Sequence, residues 1–200
     1  MDDIVRQALA KWPNVPSCTG WLLLDRRGNW RMRDEAAQAS GALGEPIRHE
    51  ALLGFINRNY DADERGQWFF QNGPQRVYVE LAYTPWVVRL SAAADGLLSL
   101  SDQAGSAFEP SAVFIDDEGG ILFTEGRSDE AKPLRVAVLH DHDLGVFSEH
   151  AEIADDGAAS GGFTWRGQVL PIQSIRQAEV GERFGFVASP ADRASGKTAS

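Results

Sequence analysis

Hydrophobic positions in the first dozen residues recur at helical spacing: Ile4, Val5, Ala8, Leu9 and Trp12 share one side of a helix over residues 3–12, which Pro13 ends. From Trp21 the spacing changes. Leu22-Leu23-Leu24 and the alternating Trp30-Arg31-Met32-Arg33 flank Asp25-Arg26-Arg27-Gly28-Asn29, which predicts a β-hairpin closed by a glycine-containing loop. Residues 34–44 are small and polar and read as a loop with at most one helical turn. Pro46 suits the first position of a second helix whose buried stripe is Leu52, Phe55, Ile56 and Tyr60. A second hairpin joins residues 68–71 to 76–81 around Asn72-Gly73-Pro74. In its second arm Val77, Val79 and Leu81 alternate with Arg76, Tyr78 and Glu80, so one face is buried. Pro85 precedes a further strand over 86–90.

The remainder is rich in strands and turns. Strands are predicted at 97–100, 112–116, 121–125, 134–140, 145–148, 162–165 and 168–172, separated by breakers such as Gly119-Gly120, Gly157 and Gly161-Gly162. Residues 189–200 carry no periodic apolar position and read as a disordered tail. Residues 22–32 align without gaps on 113–123, with Asp25 matching Asp116, Gly28 matching Gly119, and five apolar positions coinciding. Duplication and coincidence both stay open, because an apolar run, Asp-x-x-Gly and a second apolar run is how any such hairpin reads. The expected architecture is α+β and predominantly antiparallel. It comprises a first lobe over 1–92 with one main helix, a second β-rich lobe over 93–188, and the tail.

Charge sharpens this division. The 200 residues hold 19 basic and 29 acidic side chains, a formal charge of −10. Residues 1–92 carry 11 of each, so residues 93–200 carry 8 and 18, and all the excess acid lies in the second half. A DNA-coating role or a grip on anionic lipid is disfavoured over the whole surface, while the neutral first half can still hold an anion. Five of the six tryptophans, Trp12, Trp21, Trp30, Trp68 and Trp86, also lie there. A single cysteine, Cys18, excludes an intramolecular disulfide. With no signal-peptide pattern at the start and no long apolar run, a cytoplasmic, unanchored protein is expected.

Gly28-Asn29-Trp30, Glu45-Pro46-Ile47-Arg48 before a helix ending Phe55-Ile56-Asn57-Arg58, Gly66-Gln67-Trp68, and Val77 to Leu81 followed by Thr84-Pro85-Trp86-Val87-Val88 occur in that order. Over about residues 20–92 this resembles the bacterial proteins grouped as domain-of-unknown-function family 1285. The resemblance implies two similar β-rich lobes, the second loosely like a pleckstrin-homology barrel, and a nucleotide-like ligand held between them in signalling. The second half departs from that family's pattern, lacking its C-terminal proline-tyrosine and arginine motifs, as a distant or sister family would.

Three sets of residues carry candidate chemistry. Arg31 and Arg33 share a strand face opposite Trp30, Arg76 and Tyr78 share another, and Gln71 and Asn72 lie at that hairpin's tip. Arginine forks beside aromatic and amide groups suit a small anionic or nucleotide-like ligand, and the competing reading is a solvated strand face. His140-Asp141-His142-Asp143 with His150 nearby is the most metal-like string, for zinc or manganese in a metal-dependent hydrolase. Standing before Leu144-Gly145 and a new apolar arm, it reads first as a polar hairpin loop, with the metal site as the alternative. Asp61-x-Asp63-x-Arg65-Gly66 opens like a calcium loop, but its fifth position is cationic and its twelfth is Asn72, so it reads as a turn. Serine-hydrolase, dinucleotide and phosphate-loop signatures are absent. The expected function is a non-enzymatic binding or signalling module with no cofactor. The alternatives are the hydrolase and a protein-interaction module, for instance a homodimer.

Overall fold

The computed structural model describes residues 1–126, 134–153 and 161–191; Gly157 and 192–200 of the expected tail lie outside the described residues. The chain divides into two units. Of the described residues, the first comprises Met1–Asp25, Asn29–Tyr83 and 186–191; the second lies within Arg26–Gly28 and Thr84–Gly185. The division therefore falls at Tyr83, not after residue 92. The strand after Pro85 hydrogen-bonds into the second sheet, a long-range pairing that no local pattern reveals.

In the first unit α1 (Asp3–Lys11) is followed by β1 (Cys18–Leu24), β2 (Trp30–Met32), α2 (Glu35–Ser40), β3 (Glu45–Pro46), α3 (Glu50–Arg58), β4 (Tyr60–Ala62), β5 (Trp68–Asn72) and β6 (Gln75–Leu81). The sheet order is β3-β2-β1-β6-β5-β4, with β1 and β6 parallel and the other neighbours antiparallel. Strand alternation gives it two faces. Leu22, Leu24, Trp30, Phe70 and Val79 form a buried layer with Ile56 of α3, and Tyr60 meets the edge of Trp30 at 5.0 Å. Pro46 lies in β3 instead of opening the helix, because α3 begins after His49, whose side chain accepts from the Leu52 N–H. Residues 35–40 form a helix capped by Asp34 and ended by Gly41 in the left-handed region. On α1 only Val5 is buried. The chain end returns to this sheet: Val187 bridges Gln67, the Leu81 N–H donates to the Ala188 carbonyl, and Ser189 donates to Glu80 at 2.6 Å.

The second unit runs β7 (Trp86–Ala92), β8 (Leu98–Asp102), β9 (Pro110–Asp116), β10 (Ile121–Glu125), β11 (Arg135–Leu139), α4 (Leu144–Glu149), β12 (Ala151–Ile153), β13 (Gly161–Trp165), β14 (Gln168–Ile175) and α5 (Val180–Phe184). Its order is β12-β13-β14-β9-β10-β11-β7-β8, parallel at β14–β9 and β11–β7. Those parallel pairs separate it from the all-antiparallel meander of a pleckstrin-homology barrel. Residues 145–148, expected as a strand, belong to α4; a short apolar run fits either period. Phe147 of α4 stacks on Phe163 at 5.0 Å, and Phe123 meets Phe163 at 5.5 Å, forming the centre of the core.

The two sheets share a plan. Order β3-β2-β1-β6-β5-β4 corresponds, strand for strand and in relative direction, to β11-β10-β9-β14-β13-β12, with α3 and α4 at the same point in each. The register agrees as well. Leu22 pairs with Met32 and Val79, while Val113 pairs with Phe123 and Ile172. Phe70 pairs with Val77 and Tyr60, while Phe163 pairs with Leu170 and Ala151. At each helix end the Asn59 or His150 N–H donates to Ile56 or Phe147, and its carbonyl accepts from Gln71 or Thr164.

Candidate functional site

In the β5–β6 pair Phe69 faces Tyr78 and Gln71 faces Arg76, so these four project from the side of the first sheet opposite α3. Beside them the β4–β5 loop brings Asp63, Glu64 and Arg65, closing an open groove of about 590 Å³ that Ala62, Arg76 and Tyr78 complete. The Arg76 guanidinium lies over the Phe69 ring, 4.5 Å from its centroid, and Phe69 meets Tyr78 edge-on at 6.1 Å. Stacking fixes the plane of the Arg76 fork without consuming its N–H donors.

Asp63 organises the loop. Its Oδ1 accepts the backbone N–H of Arg65 and of Gln67, each at 2.9 Å, and its Oδ2 accepts Gln67 Nε2 at 3.1 Å and the Tyr78 hydroxyl at 3.2 Å. Burial pushes this carboxyl upward, but the donors from Gln67, Arg65 and Tyr78 outweigh it and hold Asp63 below the ordinary carboxylate range. The calcium-like string is thus a hairpin turn whose central carboxylate is engaged by protein donors. Neither Arg65 nor Arg76 has an ion-pair partner among the described residues, whereas eight other arginines are paired: Arg6, Arg27, Arg31, Arg58, Arg89, Arg135, Arg166 and Arg176. Two such forks and a fixed phenol lining one groove can receive an anion.

Of the residues expected at this site, Arg76 and Tyr78 line the groove. Trp30 is buried in the core, its Nε1 donating to Asn57 at 2.7 Å. Arg31 pairs with Asp25 at 2.6 Å and donates to the Gly44 carbonyl. Arg33 donates to the Ala37 and Ala42 carbonyls, satisfying the C-terminal end of α2. Gln71 is fully buried; its Nε2 donates to the Gly73 carbonyl, and its Oε1 has no hydrogen-bond partner among the described residues. Asn72 is exposed and falls on the opposite face, which carries α3. Arg65 and Asp63 were not expected as site residues; the Asp-x-Arg-Gly turn before Trp68 is the signal that could have pointed to them.

The histidines are placed differently. His140 is buried, and its Nδ1 accepts the His142 N–H at 3.1 Å, capping a single 3₁₀ turn at Asp141–Asp143. The two rings meet at 4.7 Å. Burial, then Arg89, keeps His140 below its usual pKa. Asp141 is held by Arg27 at 2.6 Å, and Asp143 by both Arg89 nitrogens and the Leu90 N–H. His150 caps the far end of α4. Among the described residues no three His, Cys, Asp or Glu side chains are grouped to hold a metal ion. Cys18 is half-buried, and burial raises its thiol pKa, the opposite of nucleophile activation.

A family model, DUF2944, described as "Protein of unknown function (DUF2946)", matches residues 1–191. No curated protein matches. Among solved structures the chain is similar to a DUF1285 family protein from Silicibacter pomeroyi DSS-3, at 14% identity and a TM-score of 0.46 over 90% of this chain and 99% of that one. It is also similar to a DUF1285 family protein from Shewanella baltica OS155, at 13% identity and a TM-score of 0.39 over 65% of this chain and 91% of that one. Both belong to the family that the sequence resembles. Among the described residues no helix is long and apolar enough to cross a membrane.

Proposed function

This chain belongs to the DUF2944 family of proteins of unknown function, and from its own geometry we propose that it is a binding module without turnover, whose first unit takes a small phosphate-bearing or nucleotide-like anion. The observation that carries this reading is that Arg65 and Arg76 line one groove without carboxylate partners among the described residues, where eight of fourteen described arginines are ion-paired. Bidentate phosphate recognition needs such forks, and Tyr78 adds an aromatic side chain to the same groove.

We also infer that the second sheet is a duplicated copy of the first, supported by the shared strand order and register. The counterparts of Arg76, Tyr78 and Phe69 are then Val169, Pro171 and Gly162. The ligand site belongs to one copy only, the first.

Isothermal titration with pyrophosphate and with AMP tests the proposal. Each charge-assisted contact contributes about 1.5–3 kcal/mol, so Arg65→Ala and Arg76→Ala should each weaken binding about tenfold or more. Arg48→Ala removes an equal charge from an exposed position in the same unit and should change little. Binding absent at millimolar anion, or weakened equally by Arg48→Ala, would overturn the assignment.

A further inference from the structure

The α3 side of the first sheet holds a second, separate cavity of about 210 Å³. Its walls are Leu22, Phe70 and Val77 from the strands and Ile47, Leu52 and Ile56 from α3 and the segment before it, and no charged side chain lines it. The lining side chains with a polar group are Cys18, Asn72 and Trp21, all uncharged. We propose that this cavity binds a neutral, mostly apolar small molecule of about the size of indole.

Three observations converge on it. The first is chemical: a mostly apolar wall with a few uncharged polar groups rejects an ion, which would lose its hydration with nothing of opposite charge to replace it. The second is a distortion of the sheet. Cys18 pairs with Val77 and Leu22 with Val79, so three residues of β1 stand where β6 has only Tyr78. This bulge, with Gly20 at φ +84°, interrupts the ladder beside the cavity and sets Cys18 and Trp21 at its edge. The third is exposure: Trp21 and Met32 also line the cavity yet stay 41% and 48% exposed, large apolar side chains that a bound ring would cover. Scaled from an apolar cavity of ~150 Å³ that holds benzene, this volume takes roughly eight heavy atoms.

The site differs from the anion groove in face, lining and ligand chemistry, so the two proposals stand or fall separately. Ligand-detected NMR with indole as the probe, and indole-3-carboxylate as its charged counterpart, tests it on the full chain. Saturation transfer to indole is expected, with at least tenfold weaker binding of the carboxylate. Leu52→Phe, which fills the cavity, should abolish transfer while the circular dichroism of the folded protein is kept. If that variant does not fold, alkylation of Cys18 by N-ethylmaleimide in the native protein gives the same answer, since bound indole should slow it at least threefold. No transfer up to the solubility of indole overturns the proposal, as does undiminished binding in folded Leu52→Phe, equal binding of the carboxylate, or an unchanged alkylation rate.

Discussion

One local device recurs at four hairpins. Asp25, Asp63, Asp102 and Asp116 each donate their N–H to the carbonyl four residues on. Each also accepts, through Oδ1, the N–H of that same residue, at 2.8, 2.9, 2.9 and 2.6 Å. The glycine between lies in the left-handed region at φ +79°, +73°, +81° and +82°. The matched aspartate and glycine of the two aligned hairpins are therefore what this turn requires, and the case for repetition rests on strand order and register instead. Glycine is needed for φ alone at Gly119, where an added Cβ meets nothing, and for close approach as well at Gly44, where it would overlap the Met32 carbonyl oxygen. Gly119→Ala should cost about 1–2 kcal/mol, and Gly44→Ala clearly more, as read from urea unfolding midpoints.

At the scale of elements, each unit sets a helix just before the edge strand of its sheet and buries one large apolar residue from it, Ile56 in α3 and Phe147 in α4. Ile56→Ala should cost about 2–5 kcal/mol and Phe147→Ala about 3–5 kcal/mol, since each leaves a void under a short helix. Chemical denaturation checks both values. The strands of the β5–β6 hairpin were legible in the sequence from their apolar content and the alternation in β6, but their burial was not, since Trp68 to Gln71 are buried on both faces and so is Glu80. Helix α4 was not, since six residues with a glycine near the start satisfy either period. Nor was the pairing of β7 with β11, or of β1 with β6, because parallel neighbours far apart in sequence leave no local mark. For the site, the pairing of Arg76 with Tyr78 on one face followed from alternation. The engagement of Arg31 by Asp25 and of Arg33 by the Ala37 and Ala42 carbonyls did not, although these partners are near in sequence, because alternation assigns a side chain to a face and not to a partner on it.

For the whole molecule, pH acts through groups whose protonation the fold opposes. His140 has a lowered pKa, first because it is buried. The unfolded chain therefore binds its proton more readily, and its contribution to stability is full above about pH 6.5 and declines as pH falls through the lower folded value. Asp63 and Asp143, also held below the ordinary range, contribute above about pH 4 and are lost only in more acidic solution. The unfolding midpoint should thus fall in two stages on acidification. His140→Asn, which keeps an acceptor at the cap, should remove the upper stage and leave the lower one; an unaltered upper stage would assign it to another group.

The return of residues 186–191 to the first sheet makes the two units unequal in their dependence on the last stretch of chain. The second, apart from Arg26–Gly28, is one continuous run that ends at Gly185. The first is discontinuous: Val187 bonds Gly66, Ala188 bonds Leu81 and Ser189 bonds Glu80. A chain cut after Gly185 would keep every strand of both sheets, yet the bonds lost would all belong to the first.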